Sequence, residues 1–440
     1  MKQALALFSL ATTLLLGRVA GAVPVVEDKE KGIAVNVGAL IQPQFQMTGQ
    51  SSFGGHGACG SATRPGCSAG IASARGDGPN YDLFLRRARL MLWGSATKQI
   101  SFFIETDEPN LGKNGDFAVR TFVQDAFLTY TVIPEFKVDA GLMLAPLTHH
   151  TIEGATSLNA LDYHSDMIKF PAGRVFRDAG VQFRGLALQD HLAYRLAIFE
   201  GVRNAQIANP IAPPAVAGMP APAAPPRTML NPGGVPRLTG MIRANIMGSE
   251  PDFFLKGIYF AEKPIISIGV GGDWQSKSAI KLRRTANGVG YYTGQDDPSG
   301  AHTDYISGSI DAFVDYPFTA ADELIVKANY LYYGAGAVPG TVVLPGTYAA
   351  WPGASAIFGE VGFRHGILEP IVYVEYMKAR MDAYTSLAPH GGLNVWVMKH
   401  NFNIKTDVGW KKTEQKNLET MVELRTKKDL IWTTQAQLFF

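Results

Sequence analysis

The chain has 440 residues, and its 40 Lys and Arg against 38 Asp and Glu leave a formal charge of +2, which gives no ground for a nucleic-acid partner. Beyond an N-terminal apolar run, no stretch approaches the ~18 to 20 apolar residues of a membrane helix; a membrane-embedded chain would therefore cross as a closed β-barrel. Mean hydropathy near zero suits that case, because a barrel is apolar only on alternate residues.

Met1-Lys2, an apolar run from Ala4 to Leu16 and Ala20-Gly21-Ala22 have the form of a secretory signal, with Arg18 unusually late. The expected organisation is a signal peptide over 1–22 and an outer-membrane barrel over 23–440. Losing Lys2 and Arg18 takes the formal charge from +2 to 0. The mature length suits one barrel of medium size and is short for a plugged 22-stranded transporter.

The first predicted strand places Ile33, Val35, Val37, Ala39, Ile41, Pro43, Phe45 and Met47 on one face, opposite Asn36, Gln42, Gln44, Gln46 and Thr48. Pro43 cannot donate to a ladder, so it marks a bulge or a rim. Residues 49–80 form a Gly-rich loop holding Cys59 and Cys67; in an exported protein a local disulfide is the default. Only His56 lies near them, which argues against zinc.

Further strands are predicted at 81–97, 100–106, 119–132, 136–144, 177–188, 192–203, 237–247, 265–276, 303–316, 322–333, 355–365, 367–381, 391–398, 402–411 and 429–440. That gives sixteen. Connections at 98, 133–135, 189–191, 317–321, 366 and 399–401 are short. Those at 49–80, 107–118, 145–176, 204–236, 277–302, 334–354, 382–390 and 412–428 are longer. Short periplasmic turns alternating with long external loops are the rhythm of an outer-membrane barrel. Residues 248–264 fall on the short side yet are long, and are read as an elaborated periplasmic turn. Nine of the 26 prolines fall in 204–236, so that loop cannot bury a core and is expected to be an extended, mobile external loop. The last strand carries Leu430, Trp432, Thr434, Ala436, Leu438 and Phe440 on one face and Thr433, Gln435 and Gln437 on the other. It reads as a closing strand between lipid and water, and ends on an aromatic residue as barrel assembly signals do.

Several segments resemble the phosphate-selective porin O/P family. They are Phe84-Leu-Arg-Arg-Ala-Arg-Leu-Met-Leu-Trp-Gly94, Gly141-Leu-Met-Leu-Ala-Pro146, Arg177-Asp-Ala-Gly-Val-Gln-Phe-Arg-Gly185, Ile198-Phe-Glu-Gly201 and Gly392-Leu-Asn-Val-Trp396, in the family's order. The resemblance implies a trimeric sixteen-stranded channel, constricted by a third loop folded inward.

Alternation turns Arg87 and Arg89 inward, opposite Ala88 and Leu90, and places Glu105, Asp125, Asp178, Gln182, Arg184 and Arg195 on polar faces. The 145–176 loop brings His149, His150, Glu153, Asp162, His164, Asp166, Lys169 and Arg174, and with Arg177 these are the candidates for a charged constriction. They could equally pair with one another and hold the loop to the wall. Arg forks suit phosphate, yet the acidic residues of the loop and the neutral mature chain speak against strong anion selection. His149-His150 with Ser157 or Ser165 raises a lipid- or ester-cleaving barrel as the enzymatic alternative. No metal or cofactor is expected. The favoured reading is a passive porin for small hydrophilic solutes, anions such as phosphate included, in contact with outer-membrane lipid; a non-conducting structural or adhesion barrel is the other rival.

Overall fold

The computed structural model describes residues 23–51, 80–168, 176–203, 205–207, 228–280, 282–285, 288–291, 302–334, 336–339, 347–351, 353–380, 384–416 and 423–440. The proposed signal at 1–22, Cys59 with Cys67, Lys169 and Arg174, and most of the Pro-rich loop lie outside them.

Sixteen antiparallel strands close into a barrel. They are β1 (Ile33–Ser51), β2 (Asn80–Ser95), β3 (Ile100–Asp107), β4 (Phe122–Ile133), β5 (Phe136–Leu144), β6 (Arg177–Ala187), β7 (Leu192–Phe199) and β8 (Arg237–Met247). The rest are β9 (Ile265–Ile280), β10 (His302–Pro317), β11 (Asp322–Tyr333), β12 (Ala354–His365), β13 (Leu368–Ala379), β14 (Tyr384–Met398), β15 (Phe402–Lys416) and β16 (Glu423–Phe439). Each pairs with its neighbours in the chain, and β16 pairs back on β1 from Leu40↔Phe439 to Ser51↔Lys428. The terminal residue completes the seam, with Ala39 N donating to Phe440 O at 2.8 Å and Phe440 N to Ala39 O at 3.1 Å. A short strand, Val23–Asp28, lies along β1 from Val37 to Ile33, on the stretch that β16 does not reach.

The polarity of the molecule is inverted relative to a water-soluble domain. Leu90 is 65 % and Val372 59 % exposed on the outside, whereas Asp125 and Glu369 are fully buried inside. Trp432 and Leu438 face outward, and Thr433, Gln435 and Gln437 inward, as alternation requires. An apolar exterior of this kind is stable only against hydrocarbon, and closure leaves no ladder edge unpaired in lipid.

The largest departures from the sequence reading are two strand starts. β14 begins at Tyr384 rather than 391, and β16 at Glu423 rather than 429, so much of the expected 382–390 and 412–428 loops is strand. Beyond the membrane slab both faces of a strand meet water, so period-two alternation stops while the backbone ladder continues. Pro43 sits at a bulge, as expected, with Gln42 opposite Arg87 and Pro43 opposite Leu85. Parts of the long loops, Ala205–Ile207, Thr228–Leu230, Gly336–Pro339 and Thr347–Trp351, form a small separate sheet.

Candidate functional site

The third loop (145–176, described over 145–168 and at 176, hereafter L3) leaves β5 and folds into the lumen. Its backbone must find partners there, and inward side chains of the far wall supply them. Pro146 O accepts from Thr239 Oγ1 at 3.0 Å, Leu147 O from Ser309 Oγ at 2.6 Å, and Thr156 O from Gln437 Nε2 at 2.8 Å. Asn159 O accepts from Asn394 Nδ2 at 2.9 Å, and the Lys405 ammonium donates to the carbonyls of Leu158, Asn159 and Ala160. L3 therefore lines the wall from β8 round to β16. At Gly271 the approach is so close that a Cβ would stand 1.9 Å from Leu147 O, which is why the wall carries no side chain there.

The loop then touches β2. Asp162 accepts from Arg86 Nε and from Arg87, each at 2.5 Å, and Arg87 also donates to Gln42 Oε1 at 2.9 Å. Burial alone would raise the Asp162 carboxyl, but the two guanidinium groups hold it well below the usual carboxylate range. Strict alternation with Arg87 and Arg89 would turn Arg86 to the opposite face, and it was not among the expected site residues. The bulge opposite Pro43 inserts it as an extra residue and brings both arginines to L3, and Pro43 was the signal that could have found it.

Arg87 and Arg89 both point inward and are buried, as alternation predicted. Arg89 pairs with Glu105 at 2.6 Å and Asp107 at 2.9 Å. Arg177 pairs with Asp125 at 2.8 Å and Arg184 with Asp139 at 2.7 Å. Arg195 instead donates to the carbonyls of Phe253 and Asp252 at 2.7 and 2.8 Å. Most of the expected cationic ladder is thus neutralised in place.

The histidines hold L3 rather than aim at a reactive serine. His149 Nδ1 lies 2.9 Å from Glu153 and its Nε2 2.7 Å from Glu250, while His150 Nδ1 lies 3.2 Å from Glu153. His164 bridges Glu360 at 3.0 Å and Glu375 at 3.3 Å. Burial would lower His164, but those two carboxylates outweigh it and hold its pKa at about 9; His150, with burial dominant, is lowered. Lys327 completes the network at 3.3 Å from Glu153 and 3.2 Å from Glu360, and Asp166 pairs with Lys411 at 3.4 Å. Ser157 Oγ donates to Gly154 O at 3.1 Å and Ser165 Oγ accepts from Lys411, so neither serine engages a histidine. Among the described residues no cluster of His, Cys, Asp and Glu has the form of a metal site.

The connection between β8 and β9 (T4, 248–264), read from its length as an elaborated turn, folds inward, which alternation did not foresee; its excess length on the short-turn side was the signal. It enters the lumen from below and pairs with L3: Gly154 N donates to Leu255 O and Leu255 N to Ile152 O, both at 3.0 Å. Glu250 joins the network through His149 and Arg243; burial would raise it, yet those partners hold it at about 2. At the far side Ile258 O accepts from His400 Nε2 at 3.0 Å, and Phe260 lies between Trp396 and the Arg364 guanidinium. Leu144, Ile152, Leu255, Leu331 and Phe358 form an apolar cluster where the two loops meet the walls, a small core inside an otherwise polar lumen. A chamber of about 550 Å³ remains between β2–β4, L3 and T4, and another of about 950 Å³ lies at the short-turn rim beside Phe260.

No protein-family model matches the chain, and no curated protein matches it. Solved structures do. Pseudomonas putida OprB in its high-pH structure is 8 % identical with a TM-score of 0.54, over 94 % of this chain and 95 % of that one. The anion-selective porin from Comamonas acidovorans is 9 % identical with a TM-score of 0.51, over 93 % and 100 %. Salmonella typhi OmpF, in complex with daunomycin, is 10 % identical with a TM-score of 0.51, over 94 % and 100 %. Such a likeness shows the fold. The chain is an outer-membrane β-barrel with the architecture of the porins.

Proposed function

We propose that the protein is a passive channel for small hydrophilic solutes, its constriction formed by L3 against the β2–β6 wall. The observation that carries this reading is the lumen itself, which is polar, charged and lined by inward side chains beneath an apolar exterior. Solute passes between L3 and the arginine-bearing wall without covalent chemistry. Size exclusion and the local field set what passes.

The finer reading, a phosphate-selective O/P-like pore working as a trimer, is supported by the order of the motifs and by Arg86, Arg87, Arg89 and Arg177 on one wall. Their pairing with Asp162, Glu105, Asp107 and Asp125 favours weak ion preference instead. A second reading, a barrel that conducts nothing, is favoured by the packing of L3 on T4 across the lumen. Conductance of the purified protein in planar bilayers in KCl, then with added phosphate, separates these. Steps of current support the channel, block by phosphate supports the finer selectivity, and silence overturns the proposal.

A further inference from the structure

The geometry points to a subsite for a compact, uncharged aromatic solute in the chamber beneath the constriction. This rests on the channel reading, since the solute would arrive by diffusion through the lumen. The chamber, at about 550 Å³, has the size of a small-molecule pocket. Two phenylalanines come from the wall, Phe103 on β3 and Phe127 on β4, and two from T4, Phe253 and Phe254. Their ring centroids form a connected set: 5.7 Å for Phe103–Phe127, 5.0 Å for Phe103–Phe254, 4.2 Å for Phe127–Phe253 and 4.9 Å for Phe253–Phe254. Arg184 and Arg195 lie 5.1 and 5.5 Å from the centre of Phe253, which holds that ring beside two guanidinium groups.

The rings are not consumed by this packing. Phe103, Phe253 and Phe254 are only half-buried, so apolar faces stand in a space otherwise built for water. That is unfavourable in proportion to area unless something apolar covers them. The cations that line the chamber are already matched. Arg89 is matched by Glu105 and Asp107, Arg177 by Asp125, Arg184 by Asp139, and Lys256 by Asp252 at 3.0 Å. The chemistry left unmatched is an aromatic surface, with the polar side chains of Ser101, Thr129 and Asn401 along the same lining. One further ring fits the offset stacking that such a set prefers, at centroid separations of ~4.5–7 Å. A hydroxyl or amide at its edge would meet the polar groups. A solute of this class would be retained here on its way through.

The test uses the purified full chain and benzamide as the probe, with acetamide (the amide without the ring) and benzoate (the ring with a charge) as comparisons. Calorimetric titration in detergent and block of single-channel current are both read. Saturable binding of benzamide is expected, with none for acetamide and weaker binding for benzoate. Phe103→Leu and Phe253→Leu should each weaken benzamide by about three- to tenfold. Phe103 lies on the wall, so its variant leaves the backbone of T4 in place. Benzamide indistinguishable from acetamide, or bound equally by both variants, overturns the subsite and leaves the ring cluster as packing for T4. Benzoate binding tighter than benzamide overturns the uncharged class. Absent conductance with persisting calorimetric binding overturns the channel reading and keeps the subsite.

Discussion

Replacing Asp162 by alanine removes the carboxylate that Arg86 and Arg87 share, where L3 closes against β2. Both contacts are 2.5 Å charge-assisted hydrogen bonds, and the Arg87 side chain is 3 % exposed against 26 % for Asp162. Removing one partner of a buried ion pair costs about 3–5 kcal/mol; partial access of Asp162 to water places this pair at the lower end, about 3 kcal/mol. That is roughly a hundredfold shift in the balance between a closed and an open contact. The rest of L3 stays docked, because Lys405, Asn394 and Gln437 bind its backbone independently. The effect is therefore confined to the constriction. Single-channel recording should show a larger conductance, and the reversal potential in a KCl gradient should move toward chloride as two guanidinium groups lose their counter-charge. Asp162→Asn keeps the volume and should retain the chloride shift with a smaller gain in conductance. An unchanged conductance and reversal potential in Asp162→Ala would show that this contact is not at the narrowest point, and would refute the placement of the constriction.

Three further outcomes are expected. The raised pKa of His164 means that its bridge between Glu360 and Glu375 contributes fully below its ordinary value of 6.5 and is lost as pH rises through about 9. Channel noise and thermal unfolding should therefore change between pH 7 and 10 in the parent and not in His164→Gln; equal pH dependence in the two would exclude His164 as the cause. Gly271→Val should force L3 off the wall, since even a Cβ meets Leu147 O at 1.9 Å, at a cost of about 1–3 kcal/mol in heat stability. Gly359→Ala, where nothing lies within 4 Å of the added atom, is the control and should be silent. Val361→Arg on the outer face of β12 should hinder folding into lipid vesicles by about 2–4 kcal/mol, a loss readable as a smaller folded fraction in urea titration.

Alternation along the chain determined a great deal. Phe439 and Phe440 at the seam, Arg87 and Arg89 facing in, Leu90 and Trp432 facing out, and the wall positions of Glu105, Asp125, Arg184 and Arg195 follow from period two, because a strand between lipid and water has no other way to sort its side chains. The rhythm of short and long connections fixed the strand count. Tertiary structure decided whatever depends on contacts between distant segments. Period two cannot see a bulge, so the place of Arg86 beside Asp162 emerges only once Pro43 and β2 are paired. Nor can it see that a turn bends inward, since Glu250, Phe253 and Leu255 gain their places from distant partners such as His149, Phe127 and Ile152. The charge balance of the constriction is of the same kind: Arg87, Arg89, Arg184 and Arg195 were legible as inward cations, but whether each faces solute or a carboxylate depends on which strand stands next to it in three dimensions.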